Sequence, residues 1–97
     1  MKNLVISPAI KEKLLQKHSL SRNDVEQCFM NRTRSYLMDN RLNHVTDPPT
    51  EWFIAENDRG LLIKVVFVFD DGIIYLKSPF PPNLTEISIY NTISMPY

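Results

Sequence analysis

The sequence of 97 residues predicts an α+β fold: two N-terminal helices, a four-stranded antiparallel sheet in meander order, and a short C-terminal helix. Three observations carry that class. Ser7 and Ser21 each stand just ahead of a stretch with helical apolar spacing. From Arg34 onward the pattern turns to strands, and Asp71-Gly72 joins two of them as a hairpin. Asn83 and Glu86 then have the spacing of a capping box before a final helical run.

Each element follows from local chemistry. Ser7-Pro8 places a side-chain acceptor at an N-cap and proline at the first helical position, where its missing N–H costs nothing. Ile10, Leu14 and Leu15 give this helix its apolar stripe, and it ends near His18. Ser21 caps a second helix with Asp24 as the third residue, and Leu20 with Val25 forms a hydrophobic staple. Val25, Cys28 and Phe29 make its buried side. Strands are predicted over Arg34 to Asp39, Glu51 to Asn57, Leu61 to Asp70 and Ile73 to Ser78. Asp47-Pro48-Pro49 breaks the chain between the first two, because successive prolines remove two donors. Phe80-Pro81-Pro82 stops the fourth. The last helix spans about Leu84 to Asn91.

The third strand is apolar almost throughout, which makes it central. Leu61, Ile63, Val65, Phe67 and Phe69 are expected to face the helices, all clustered on one side of the sheet. Lys64 and Asp70 fall on the other face, which is expected to be at least partly wet.

Composition limits the function. A chain of this length with 43% hydrophobic residues supports one domain, residues 1–97, and a single core. Eleven basic and eleven acidic residues cancel, which argues against a strongly electrostatic nucleic-acid binder. The zero nevertheless hides a polarity: residues 1–45 carry a net +4 and residues 46–97 a net −4. Such asymmetry hints at a charged partner. The lone Cys28 excludes an internal disulfide and a zinc cluster, and its place on an apolar stripe reads as core. No metal and no cofactor are expected, since His18 and His44 lack ligand spacing and both Gly60 and Gly72 sit in turns. The N-terminal apolar run is too short for a signal peptide and the longest apolar stretch too short for a membrane span, so the expected location is cytoplasmic.

What remains for chemistry is the outer face of the sheet. If Asp71-Gly72 is a two-residue turn, Val66 pairs with Lys77, and Tyr75 and Lys77 share the face of Lys64. If Gly60 closes a three-residue loop, Glu56 joins them, whereas a two-residue turn sends Glu56 to the opposite side. In the first register, Glu56, Lys64, Tyr75 and Lys77 form an acid–base and phosphate-contacting cluster. A lysine pair offsets phosphate charge, and a carboxylate takes the proton of a 2′-hydroxyl. The same alternation also describes a wet face that keeps a sheet soluble. Trp52 is a candidate base-stacking platform, or a core or interface residue, as an aromatic on a strand more often is. His44, in a loop beside the proline break, is a candidate substrate contact, whereas His18 suits the negative end of the first helix.

Several short motifs resemble a known family. Lys17-His18-Ser19-Leu20-Ser21 leading into Val25 and Phe29 is similar to the Lys-His-Gly opening of the BrnT-like toxins, members of the RelE/ParE-like superfamily of toxin–antitoxin systems. Phe53-Ile54-Ala55-Glu56, a turn with Gly60, and Leu62-Ile63-Lys64-Val65-Val66-Phe67 resemble that family's central hairpin, and Glu86 with Tyr90 its closing segment. A basic segment normally follows the family's fourth strand, where this chain has Lys77-Ser78-Pro79-Phe80. Asp47-Pro48-Pro49-Thr50, Trp52 to Glu56 and Ile89-Tyr90-Asn91 further resemble small bacterial proteins that carry the transferred label "ADP-ribosyl-(dinitrogen reductase) hydrolase". Hydrolases of that name are much larger helical proteins with a carboxylate-held dimetal site, and this chain has neither the length nor the acidic cluster.

The BrnT-like resemblance implies a metal-independent ribonuclease acting on RNA, with a protein antitoxin as partner. Attack of a 2′-hydroxyl on the adjacent phosphate needs no metal. It carries Glu56 over as acid or base, and Lys64 and Lys77 as phosphate contacts. The alternative is a non-enzymatic protein-binding module of the same fold.

Overall fold

A computed structural model describes residues 1–39 and 46–96 of the chain; His44 lies outside the described residues. The elements run β1 (Leu4–Val5), α1 (Pro8–His18), α2 (Arg22–Asn31), β2 (Leu37–Met38), β3 (Thr50–Glu56), β4 (Leu62–Asp70), β5 (Ile73–Phe80) and α3 (Leu84–Ile93). The α+β class and the antiparallel run β2 to β5 agree with the sequence reading.

The sheet differs from the expected four strands. It has five, in the order β1-β5-β4-β3-β2, and it is mixed because β1 pairs parallel to β5 through Leu4↔Ile74 and Val5↔Tyr75. A strand of two residues is too short to display an alternation, so only its partner reveals it. The expected strand at Arg34 to Asp39 shrinks to β2, and Arg34 instead makes an isolated bridge to Pro96.

The caps behave as their residues dictate. The Ser7 hydroxyl accepts from the Ile10 N–H, and the Asp24 carboxylate accepts from the Ser21 N–H at 2.9 Å. At the end of α1, Ser19 takes a left-handed conformation (φ 53°), which lets the Leu20 N–H reach the Leu14 carbonyl at 3.0 Å. Asp71 (φ 51°) and Gly72 (φ 78°) are both left-handed, as a hairpin turn with right-handed twist requires.

The inner face of the sheet carries Phe53, Ala55, Ile63, Val65, Phe67, Ile74 and Leu76, all buried, against Leu14 of α1 and Val25 and Cys28 of α2. Phe29 stands at the middle, with its ring 4.8 Å from Phe53 and 5.5 Å from Phe67, both edge-on. Leu15, assigned by spacing to the apolar stripe of α1, is 67% exposed, because Leu14 alone of the two turns inward. Leu61, just before β4, and Phe69, near its end, were expected to face the helices and are exposed instead.

α3 corrects the expectation that all helices share one face. Tyr90 meets Trp52 at 5.7 Å and Glu86 meets Lys64, and both Trp52 and Lys64 lie on the outer face. The physical reason is the apolar content of that face: Trp52, Ile54 and Val66 need cover, and α3 supplies part of it.

The left-handed Ser19 stores strain that glycine would not. Ser19→Gly is expected to stabilise the protein by about 1 kcal/mol. Urea unfolding followed by circular dichroism checks this, with a higher midpoint and an unchanged slope.

Candidate functional site

Glycine at position 60 settles the register that decides where Glu56 points. Gly60 is left-handed (φ 80°), the Gly60 N–H donates to the Asn57 carbonyl, and the Asn57 N–H donates to the Leu61 carbonyl. The three-residue loop therefore holds, with Glu56↔Leu62 and Ile54↔Lys64 opposite each other. Glu56 and Lys64 share the outer face as diagonal neighbours. Tyr75 lies on it too, opposite Val68, and is 40% exposed.

Lys77 does not take its expected place. Asp70 pairs with Ile73 as the two-residue turn demands, but the register shifts between Val66 and Phe67. Val66 then faces Ser78, and Lys77 becomes the extra residue of a β-bulge, exposed and without a cross-strand partner. Nothing in the local sequence announces a bulge. The pairing of Val66 with Lys77 is thereby replaced.

α3 decides the chemistry of this face. Lys64 Nζ donates to Glu86 Oε2 at 2.5 Å, and the two side chains are only 13% and 20% exposed. Glu86 Oε1 accepts the Asn83 N–H, so one carboxylate both closes the capping box of α3 and neutralises the lysine. The Lys64 ammonium also sits 4.6 Å from the Trp52 ring centre and 5.2 Å from that of Phe80. The expected wet face is therefore covered at Lys64, because a carboxylate and two rings replace its water.

The other end of α3 is fastened by residues that sequence reasoning did not assign to the site. Arg34 Nη2 donates to the Ser94 carbonyl at 2.6 Å and to the Asn91 carbonyl at 3.2 Å, which places a cation at the negative end of the helix. Arg34 Nε donates to Ser94 Oγ at 2.7 Å. The Tyr90 hydroxyl lies within hydrogen-bond reach of the Arg34 and Ser35 carbonyls. Burial pushes the Tyr90 phenol up, against the opposing charges of Arg32 and Arg34, so it stays a protonated donor. Glu86 and Tyr90 were visible as a cap and a motif, but their partners are far apart in sequence.

Two hollows flank α3. One, of about 710 Å³, is lined by Leu37, Trp52, Lys64, Val66, Ser78 and Phe80 from the sheet and by Glu86, Ile89 and Ile93 from the helix. The other, of about 390 Å³, includes Glu56, Ile54, Leu62, Arg34 and Tyr90. Lys64 and Glu56 thus open into different hollows, and neither hollow includes Lys77 or Tyr75. Trp52 forms floor in the larger one.

Burial pushes the Cys28 thiol up to about 12, and its Sγ lies 3.7 Å from the Ala55 carbonyl, so it carries no thiolate at neutral pH. Among the described residues, no three His, Cys, Asp or Glu side chains gather as a metal site, and no helix is long and apolar enough to cross a membrane. No match was found to a family model, to a curated protein or to a solved structure.

Removing the Glu86 carboxylate takes away the reciprocal half of the capping box, while Asn83 Oδ1 still accepts the backbone N–H of residue 86, and leaves a covered ammonium without this partner. Glu86→Ala is expected to destabilise the protein by about 2 kcal/mol, between the values for exposed and fully buried pairs. In Lys64→Met/Glu86→Ala the unpaired charge is gone, so urea unfolding should show part of the loss recovered.

Proposed function

We propose that the chain is a RelE/BrnT-like, toxin-type domain that works by binding a protein partner, as a non-enzymatic member of that fold. The observation that carries this reading is the state of Lys64. The most central cation of the candidate cluster is neutralised by Glu86 and flanked by Trp52 and Phe80, so a phosphate reaches it only by breaking that pair. Glu56 opens on the other side of α3, and Lys77 is displaced into a bulge. Support for the family comes from the order of elements after the short strand β1: a helix pair, then four antiparallel strands, then a closing helix.

A ribonuclease is the second reading, favoured by the shared face of Glu56, Lys64 and Tyr75. It needs a general base and a phosphate contact within reach of one scissile bond. That requirement separates the two readings in one experiment. Purified wild-type protein incubated with total RNA is expected to leave it intact. Induced expression is expected to affect growth equally in wild type, Glu56→Ala and Lys77→Ala. RNA cleavage by wild type that disappears in Glu56→Ala overturns the binding reading and establishes the enzyme.

A further inference from the structure

α3 crosses the outer face of the sheet near one end of the strands, over Ile54 and Lys64, and among the described residues no other helix covers the remainder. The register defines what is left. One ladder row runs Leu37–Trp52–Val66–Ser78 and the next runs Thr50–Val68–Tyr75–Val5. Together they make a shelf that is apolar or aromatic except at Ser78 and Thr50, and Ile89 (42% exposed) and Ile93 (62% exposed) wall it on the α3 side. Five strands span about 19 Å, and two rows of outward side chains span about 7 Å, close to the footprint of one helix alongside α3. A sheet face is covered by a helix, whereas an added strand needs a free edge, and here both edge strands are only two residues long.

Charge selects the helix. The far border of the shelf, where β3 begins and β4 ends, carries Asp70 and Asp71, with Asp47 just before β3, all exposed. Among the described residues, the free cations beside the shelf are Lys2, next to Asn3, whose amide donates to the Gly72 carbonyl, and Lys77, exposed in the bulge between Tyr75 and Ser78. Among the described residues, three carboxylates against two ammoniums leave that border net negative, which favours a basic flank on the occupant. A second copy of this chain offers no matching stripe: α3 carries Glu86 and no basic residue, and α1, the basic helix, buries Leu14 in its own core and leaves Leu15 as its one exposed large apolar side chain.

We infer that this shelf docks an amphipathic helix of a partner protein, its apolar stripe over Trp52, Val66, Val68 and Tyr75 and its lysine- or arginine-bearing flank beside Asp70 and Asp71. The inference rests on the protein-binding reading and gives the partner its chemistry.

Trp52 is the only tryptophan and lies on the shelf, so its fluorescence reports occupancy directly. The probes are two helical peptides of about 15 residues, about 22 Å long, with one leucine stripe and either lysine or glutamate flanks. The lysine peptide should shift Trp52 emission saturably and bind at least about tenfold more tightly than the glutamate peptide. Asp70→Lys/Asp71→Lys should abolish that preference. Tyr75→Lys and Val66→Lys, each confirmed as folded by circular dichroism, should weaken both peptides.

Equal binding of the two peptides, no binding, or unchanged binding by both lysine variants overturns the inference. So does a wild-type dimer in sedimentation that Val66→Lys turns into a monomer, which would make a second copy the occupant. An oligouridine that outcompetes the lysine peptide would make the occupant RNA. RNA cleavage with the peptide preference intact removes the non-enzymatic reading and leaves the shelf standing. Intact RNA with no peptide preference removes the shelf alone.

Discussion

The Lys64–Glu86 pair is the constraint on which the functional surface depends. A short helix after a proline break has little stability of its own, because nucleation consumes most of what ten residues can contribute. α3 persists by being tied at both ends: Glu86 to Lys64 at its start, and Arg34 to the Asn91 and Ser94 carbonyls at its finish. Tyr90 packs between these ties against Trp52. Once α3 lies there, the outer face has a covered part, where Lys64 is spent, and an open part, where Val66, Val68 and Tyr75 meet solvent.

The opposite face is organised around a second polar node. Asp24, nearly buried, accepts from the Ser21 N–H, from Asn57 Nδ2 at 3.1 Å and from Arg59 Nη2 at 3.3 Å. Burial raises its pKa, but those hydrogen bonds and the Arg59 charge outweigh it and hold the carboxyl below its ordinary value. One carboxylate thereby joins the start of α2 to the loop between β3 and β4. Asn57 Oδ1 in turn accepts the Arg59 and Leu61 N–H groups, which shapes the loop that puts Glu56 on the outer face. The register of the candidate site is thus held from the other side of the sheet.

What could be read from the sequence was what is local. Ser7, Ser21 and Asn83 mark helix starts because a cap bonds within three residues, and Asp71-Gly72 marks a hairpin because only such residues take both left-handed positions cheaply. Gly60 similarly made the Glu56 register one of two options. The rest depends on partners distant in the chain. Leu4 and Val5 become a strand only beside Ile74 and Tyr75. The bulge at Lys77 arises in the pairing of β4 with β5 and leaves no local mark. Lys64 reads as a wet cation until Glu86, on a helix expected to lie over the other face, reaches it.

The zero net charge conceals a +4 half rich in helix and a −4 half rich in sheet. The acidic half also contains the open shelf, while its most central lysine is already engaged. That engagement can be measured by amine-selective reductive methylation followed by peptide mass mapping. The account predicts that Lys64 is modified far more slowly than Lys2, Lys11, Lys13, Lys17 and Lys77, and that Glu86→Ala brings it to their rate. A Lys64 that reacts as fast as Lys77 in the wild-type protein would contradict the account and return the lysine to the service of a phosphate.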